Sequence, residues 1–242
     1  MLSKAKIKFI KSLQIKKYRR QEQSFIVEGA KSVRELLSSD FEVITLLGTT
    51  AFLSDVRTEK GVEVIETSEK DLEALGEFQT NDAALAIART KPNDFLSPNA
   101  GEFVLLLDDI RDPGNLGTIV RTADWFGVTK IIASTETADF YNPKVISATM
   151  GSFTRTKIFY TPLADYMQTT KLPIFGTYLD GTDIRSVDFG QGGIILIGNE
   201  SRGIHPELEK FVTQKVTIPK SGRSESLNAA LATGIILYEL RR

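Results

Sequence analysis

The chain has 242 residues, of which 41% are hydrophobic and 25% are charged, a composition typical of one large globular domain or two smaller ones. It contains no cysteine and a single histidine, His205, which excludes a disulfide framework, a thiolate metal site and a zinc site built from several histidines. The apolar runs are too short to span a bilayer, and no apolar core follows the basic N-terminus as it would in a signal peptide. We therefore expect a cytoplasmic protein that binds no metal and no membrane.

Positive charge is concentrated at the N-terminal end. Residues 1–34 contain ten Lys or Arg and two Glu, a net charge of +8, so the remainder carries −9 of the overall −1. A basic end on an acidic body predicts a polyanionic partner such as nucleic acid. A solvated helix face that only keeps the protein soluble is the alternative that charge alone leaves open.

The first 93 residues are predicted to form a small α/β domain. Helical spacing of apolar residues and short strand-like runs alternate along this part of the chain. The helices are expected at 4–20, 30–38 and 69–75, and the strands at 25–27, 42–47, 62–65 and 84–88. The stretch KPNDFLSPNAG at 91–101 has two Pro and two Asn, so we place a linker at 94–101 and a second domain at 102–242.

The second domain is predicted to be an α/β domain with a mostly parallel sheet and helices on both faces. The strands are expected at 103–107, 130–133, 157–160, 173–177, 193–198 and 215–218, and the helices at 116–126, 143–151, 163–170, 206–211 and 227–240. This regular alternation is typical of parallel sheets. Ligands of such sheets bind beyond the carboxyl ends of the strands, so the loops that follow strands are the candidate site.

The first such loop, residues 108–123, leads through a Pro-Gly turn into a helix. Asn115 is expected to be the N-cap of that helix. Arg121 falls outside the apolar stripe of the helix, so it is available for a ligand or for a surface ion pair.

The second loop, residues 194–206, leaves a buried strand at Gly198. A glycine at a strand exit lets a ligand approach the backbone closely. Glu200 could accept hydrogen bonds or brace a cation such as Arg121, or it could be a solvated acid in a turn. His205 precedes a Pro at a helix start, and we interpret it as structural.

The third loop, residues 216–232, leads into a helix for which Ser226 is the expected N-cap. That helix, 227–240, is apolar nearly all round, which is typical of core, of a subunit interface or of both. Familiar nucleotide motifs are missing: GQGG at 190–193 precedes a strand instead of following one, and no GxxxxGK[ST] occurs.

Taken together, the three loops resemble the SpoU (TrmH-like) branch of the SPOUT RNA methyltransferases. The motifs that carry the resemblance are NLGTIVRTA at 115–123, GNESRG at 198–203, and Ile-Pro at 218–219 followed by Ser-Leu-Asn at 226–228. The segments NPK at 142–144, KYRR at 17–20 and FIVEG at 25–29 also fit the family. Lys220 departs from it, because the family often has Met there.

The resemblance implies a trefoil-knotted C-terminal SPOUT domain, a small N-terminal α/β substrate-binding domain and a homodimer through the catalytic domain. It implies S-adenosylmethionine as cofactor, held mainly through backbone groups. The residues carried over for the cofactor are Thr177, Gly198, Ile218 and Leu227, and those for catalysis are Arg121, Asn115, Glu200, Ser226 and Asn228. The basic side chains expected to bind RNA are Lys16, Lys17, Arg19 and Arg20.

The activity implied is methyl transfer to a ribose 2′-hydroxyl of structured RNA, with ribosomal RNA favoured by the added N-terminal domain. A tRNA substrate, a base as the acceptor, a small-molecule enzyme and a non-catalytic RNA-binding protein of the same fold are the alternatives. The family assigns activation of the hydroxyl to the arginine at Arg121. A guanidinium stays protonated at neutral pH, so we expect Arg121 to stabilise the developing alkoxide, from its own or the partner subunit, instead of acting as a base.

Overall fold

The computed structural model of the protein describes residues 2–77 and 80–241. The helices of this part are α1 (Lys4–Ser12), α2 (Lys16–Glu22), α3 (Ala30–Leu37), α4 (Thr50–Ser54), α5 (Glu69–Leu75), α6 (Pro113–Trp125), α7 (Pro143–Thr149), α8 (Leu163–Thr169) and α9 (Ala229–Leu240). The strands are β1 (Ser24–Glu28), β2 (Val43–Gly48), β3 (Glu63–Glu66), β4 (Ala84–Arg89), β5 (Phe103–Leu107), β6 (Lys130–Ala133), β7 (Lys157–Tyr160), β8 (Ile174–Asp183), β9 (Gly193–Ile197) and β10 (Gln214–Thr217). Short 3-10 helices lie at Ser152–Thr154, Ile184–Ser186 and Pro206–Phe211.

The chain divides into two compact units. The N-terminal unit comprises the residues up to Pro92 together with Asp139–Thr154, and the C-terminal unit comprises Asn93–Ala138 and the residues from Arg155 onward. Residues 139–154 therefore pack with the N-terminal part of the chain, although the sequence analysis assigns them to the second domain.

The N-terminal unit is built on a four-stranded sheet in the order β1-β4-β2-β3. Strand β4 is antiparallel to both of its neighbours, and β2 and β3 are parallel. Apolar side chains of α1 and α5, such as Ile10 and Leu72, pack against the apolar side chains of the strands, including Ile26 and Leu85. The core of this sheet thus comes from a helix that precedes β1 and from a helix between β3 and β4.

The predicted helix 4–20 is two helices. Ile15 is extended, with φ −100° and ψ 126°, and separates α1 from α2. The reason lies in Arg19, whose Nη1 donates to the carbonyls of Leu13 and Gln14 at 2.9 and 2.8 Å. These bonds satisfy carbonyls that a continuous helix would use for its own ladder. The short helix α4 was not predicted.

Residues 139–154 contribute to the core of the N-terminal unit through aromatic contacts. The ring of Phe25 lies 4.7 Å from that of Tyr141 and 6.0 Å from that of Phe153, and Phe41 lies 5.8 Å from Phe153. A buried ion pair joins Arg19 Nη2 to Asp139 Oδ2 at 2.6 Å. This segment is therefore an integral part of the unit.

The C-terminal unit contains a six-stranded sheet in the order β10-β8-β9-β5-β6-β7. Every pairing in it is parallel, which confirms the predicted parallel α/β architecture. Strands β5 and β9 lie at its centre and are buried along their whole length, as expected of strands covered by helices on both faces. The trefoil knot stays a prediction. None of the described helices is long and apolar enough to cross a membrane.

Candidate active site

The middle of β8 and the loops that follow β9 and β10 converge on one cavity of about 880 Å³. Its walls come from residues 177–180 of β8, from the turn at 198–204 and from the segment 216–227. All three arrive at the same edge because the strands are parallel and adjacent in the sheet. The cavity therefore lies where the sequence predicts a ligand site.

The second loop folds back tightly at its exit from β9. Asn199 and Gly203 form a two-residue antiparallel bridge, with N–H to carbonyl distances of 3.0 and 2.9 Å. A Cβ added to Gly198 would lie 2.4 Å from the carbonyl carbon of Gly203, well inside van der Waals contact. Only glycine fits at this position, so backbone forms this part of the cavity wall.

All four residues predicted to hold the cofactor, Thr177, Gly198, Ile218 and Leu227, line the cavity. Two of the predicted catalytic residues, Glu200 and Ser226, line it as well. The other three, Asn115, Arg121 and Asn228, are not among its lining residues.

A chain of side-chain hydrogen bonds links the three loops at one end of the cavity. The amide Nδ2 of Asn115 donates to Oε1 of Glu200, and its Oδ1 accepts from Nδ2 of Asn228 at 2.8 Å. Oδ1 of Asn228 in turn accepts from the first free N–H groups of α9, those of Ala230 and Leu231. One residue from each motif therefore belongs to a single polar network. In this network each donor bonds to the residue that is one step nearer to the Glu200 carboxylate.

Two of the predicted helix caps are wrong. Asp112 is the N-cap of α6 and accepts from the N–H of Asn115 at 2.8 Å, with Pro113 in the first helical position. Asn228, not Ser226, is the N-cap of α9. The Asp-Pro pair is a strong helix-start signal that would have identified the first cap. The shift matters because it frees the side chain of Asn115 to bridge Glu200 and Asn228.

Arg121 is exposed on α6 and makes no hydrogen bond or ion pair with any residue that the structure describes. The predicted bracing of Arg121 by Glu200 is not present, because Glu200 accepts from Asn115 instead. On the helix, Arg121 lies three residues after Thr118 and beside Thr122, which line a second, shallow groove between α6 and α9.

The groove between α6 and α9 has a volume of about 540 Å³ and a mostly apolar lining that includes Leu231, Ile235 and Tyr238. The side chains of Leu231 and Tyr238 are 55% and 60% exposed. The predicted apolar helix therefore packs one side against α6 and leaves another side open.

A polar cluster beneath the second loop was not foreseen. The carboxylate of Asp108 accepts from the backbone N–H of His205 at 2.7 Å and contacts its Nδ1 at 2.9 Å. Asp108 is buried, so His205 serves to pair it, consistent with the structural interpretation of this histidine. The signal in the sequence was the Asp-Asp pair at 108–109, directly after a buried strand.

Tyr178 forms part of the cavity wall and is a second residue that the sequence analysis missed. Its ring lies 4.6 Å from Nζ of Lys215, and its hydroxyl is buried without a hydrogen-bond partner among the described residues. Burial, with the nearby Glu209 carboxylate as a smaller cause, raises the pKa of the Tyr178 phenol.

The predicted RNA-binding side chains divide into two groups. Lys16, Lys17 and Arg20 are exposed on α2. Arg19 is 2% exposed and directs its N–H groups to Asp139 and to backbone carbonyls. Arg19 is therefore corrected from a phosphate contact to a structural residue, because its donors are already satisfied inside the unit.

Comparison with known proteins agrees with this geometry. Residues 102–238 match the SpoU rRNA methylase family, and residues 4–86 match the MRM3-like substrate-binding domain. The chain is similar to the 23S rRNA (guanosine(2553)-2′-O)-methyltransferase RlmP of Bacillus subtilis, with 31% identity over 98% of this chain and 96% of the relative.

Two solved structures share the fold over nearly their whole length. An AdoMet-bound rRNA methyltransferase from Sinorhizobium meliloti superposes with a TM-score of 0.89 at 32% identity, covering 100% of this chain and 97% of that one. The SpoU methyltransferase AviRb of Streptomyces viridochromogenes, in complex with AdoMet, gives 0.86 at 26% identity over 98% and 97%. The protein therefore belongs to the SpoU rRNA methylase family.

Proposed function

We propose that this protein transfers a methyl group from S-adenosylmethionine to a ribose 2′-hydroxyl of ribosomal RNA in the cytoplasm. The observation that carries the proposal is the hydrogen-bonded chain Glu200–Asn115–Asn228, which joins the three family motifs beside a single cavity. Relatives that align with 98% and 90% of this chain are named as 2′-O-methyltransferases of 23S rRNA, which supports the acceptor and the RNA class.

The cavity suits S-adenosylmethionine in chemistry as well as in size. When bound, the cofactor supplies an electrophilic methyl group on a positively charged sulfur. Three lining carboxylates, Asp180, Glu200 and Glu225, suit that positive charge, and the cations of Arg202 and Lys220 suit the carboxylate of the methionine part. Glycine at 198 lets the turn at 198–204 fold tightly, so that main chain forms the wall against which an adenine edge would lie.

The residues around the cavity have separable tasks. Thr177, Gly198, Ile218 and Leu227 hold the cofactor, largely through their backbone. Asn115 and Asn228 hold Glu200 in one orientation, and Ser226 contacts the ribose. The proton of the 2′-hydroxyl leaves to solvent, and Arg121 stabilises the negative charge that develops on the 2′-oxygen. Arg121 also binds the adjacent phosphate, because a guanidinium offers two parallel donors to an anion.

We propose in addition that the groove between α6 and α9 is covered by a second copy of this chain. The groove is apolar, it exposes Leu231 and Tyr238, and it continues the face of α6 on which Arg121 lies. A two-fold contact on this face would bring Arg121 of each copy to the region of its partner's Asn115 network. This accounts for an arginine that has no polar partner among the described residues of its own chain.

The test is methyl transfer to ribosomal RNA with tritiated cofactor and the variants Arg121→Ala and Arg121→Lys. Removing one charge-stabilising donor is expected to lower kcat by about 100-fold or more, while cofactor affinity measured by calorimetry stays within about twofold. The Lys variant should recover only part of the rate, because it lacks the planar fork. A wild-type kcat for Arg121→Ala would refute the proposed role of Arg121.

Mixed dimers test whether Arg121 acts across the interface. We combine one subunit carrying Arg121→Ala with one carrying Gly198→Val, whose side chain collides with the backbone of Gly203 and so disrupts the turn that forms the wall of the cofactor cavity. If Arg121 acts in the partner's site, the Arg121→Ala subunit keeps a working cofactor cavity and receives the guanidinium of its neighbour, so about half the activity returns. If Arg121 acts within its own subunit, both sites are defective and the mixture is inactive.

A further inference from the structure

The short helix α2 presents an exposed aromatic ring among positive charges. Tyr18 is 36% exposed, and Ile15, one turn before it, is 55% exposed. Nζ of Lys17 lies over the Tyr18 ring at 5.8 Å from its centre, a long cation–π contact that a stacked base would replace. Large exposed apolar side chains in such a setting indicate a contact surface.

The surroundings of this ring are predominantly basic, with one acidic residue, Glu22, at the end of α2. Between residues 2 and 21 the chain contains eight Lys or Arg and no acidic residue. Lys16, Lys17 and Arg20 make no ion pair with any carboxylate among the described residues, so their charges are available for a ligand. A protein surface of this charge is complementary to a phosphate backbone.

Arg19 holds the helix that carries the ring. Its guanidinium binds Asp139 and the carbonyls of Leu13 and Gln14, which fixes α2 within the N-terminal unit. Tyr18 therefore projects from an anchored element, and the entropy cost of ordering it on binding is small. An aromatic ring on a rigid basic element is the arrangement by which proteins stack single-stranded bases.

We propose that Tyr18 is a nucleobase-stacking site for an unpaired nucleotide of the RNA, with Ile15 against its edge and Lys16, Lys17 and Arg20 on the flanking phosphates. The inference rests on the proposed function, which requires RNA at this unit, and adds to it the class of RNA. A paired duplex hides its base faces, so the site selects a loop, bulge or strand end. Such a site would guide the enzyme to a non-helical region of its substrate.

The experiment measures the binding of two RNA probes to the full-length protein by fluorescence anisotropy over a range of salt concentrations. One probe is a blunt duplex, and the other is a hairpin of equal phosphate number with unpaired loop nucleotides. Tyr18→Leu is expected to weaken binding of the hairpin about tenfold and to leave duplex binding within about twofold, since stacking of one base is lost. Tyr18→Phe keeps the ring and should bind both probes as the wild type does.

The double variant Lys16→Ser/Lys17→Ser separates this inference from the proposed function. It should weaken the binding of both probes and reduce the salt dependence of that binding, because it removes phosphate contacts. If the double variant changes the binding of neither probe, the RNA-binding role of this unit is refuted, whatever the result for Tyr18→Leu. If the double variant behaves as expected, the phosphate contacts are supported. If Tyr18→Leu then leaves the binding of both probes unchanged or weakens both equally, the stacking site is refuted.

A second readout reports the contact itself. Hairpin RNA with 5-iodouridine in the loop is irradiated in complex with the protein, and the crosslinked peptide is identified by mass spectrometry. A crosslink at Tyr18 that is lost in Tyr18→Leu supports the stacking contact. A crosslink confined to other peptides in the wild type overturns it.

Discussion

The side-chain amide of Asn199 donates a hydrogen bond to the backbone carbonyl of Asp109 over 2.8 Å. The bond joins the turn after β9 to the turn after β5, and Asp109 adopts a left-handed conformation there, with φ of 58°. One carboxylate oxygen of Asp109 is buried without a partner among the described residues, which adds a desolvation cost to the cost of the left-handed backbone. The contact therefore holds Glu200, the next residue after Asn199, within reach of Asn115.

Replacing Asn199 should slow the reaction without unfolding the protein. Oδ1 of Asn199 also accepts from the N–H groups of Ser201 and Arg202, so Asn199→Asp retains these bonds but replaces the donor to Asp109 with a charged oxygen that repels the Asp109 carbonyl. We expect kcat to fall about tenfold in Asn199→Asp, because the second loop is released from the first. Steady-state kinetics measure this, and an unchanged kcat would contradict the positioning role.

The hydrogen bond between Asn115 and Asn228 should appear as a coupling energy in a double-mutant cycle of kcat/KM. Asn228→Asp keeps the oxygen that caps α9 and removes the Nδ2 donor to Asn115. Each single variant, Asn115→Ala and Asn228→Asp, is expected to lower kcat/KM by about tenfold, and the double variant by much less than the product. Strictly multiplicative losses would show that the two residues act independently.

Gly198→Ala is expected to weaken cofactor binding, since its methyl group would collide with the backbone of Gly203. Calorimetry with S-adenosylmethionine should show at least a tenfold loss of affinity. Gly222→Ala is the matched control: Gly222 also lines the cavity, but a Cβ there meets nothing within 4 Å. Equal affinity of the two variants would argue against a cavity closed by backbone at Gly198.

Arg19→Met should destabilise the N-terminal unit strongly. The substitution leaves the carboxylate of Asp139, whose side chain is 17% exposed, without its cation, and leaves two backbone carbonyls without donors. Breaking such a pair costs about 3–5 kcal/mol. Arg20→Met, one residue away and exposed, is expected to change the free energy of unfolding by less than about 0.5 kcal/mol. Chemical denaturation of both variants makes the comparison, and equal stabilities would mean that Arg19 is not a structural residue.

The protein should lose stability in alkali because of Tyr141. Burial raises the pKa of the Tyr141 phenol to about 12, although its bond from the N–H of Lys91 opposes the shift. The unfolded chain loses this proton near pH 10. The contribution of Tyr141 to the free energy of unfolding is therefore complete below about pH 10 and is lost as the pH rises to about 12. The loss amounts to at most about 1.4 kcal/mol per pH unit. Urea unfolding between pH 9 and about 12 measures the slope. Tyr141→Phe should be less stable at neutral pH but show a shallower alkaline slope, and an unchanged slope would contradict the assignment.

Most elements of the fold could be predicted because the signals for them are local. The strands β5, β6 and β7 and the helix α5 begin and end where hydrophobic periodicity places them. The order of strands and helices was sufficient to predict a parallel sheet, and hence a site at the strand exits. The motif residues Gly198 and Ile218, which the family resemblance assigns to the cofactor, line the cavity at these strand exits.

The partners of polar side chains could not be predicted in the same way. Asn115 and Asn228 are of the same residue type, which favours helix N-caps. Asn228 caps α9, whereas Asn115 caps no helix and bridges Glu200 and Asn228. Arg19 and Arg20 are adjacent and chemically identical, yet one is buried and the other exposed. Which role each residue takes depends on groups that lie many positions away in the chain, such as Asp139 for Arg19.

The sequence by itself thus determined the element types, the parallel sheet and the three strand-exit loops, since these follow from spacing and turn chemistry within a few residues. The tertiary structure alone decided that 139–154 packs into the N-terminal unit, that Arg19 is a structural residue and that Asn115 connects the three loops. The physical reason is that a buried charge or amide needs a partner at hydrogen-bond distance, and only the folded chain brings such distant groups together.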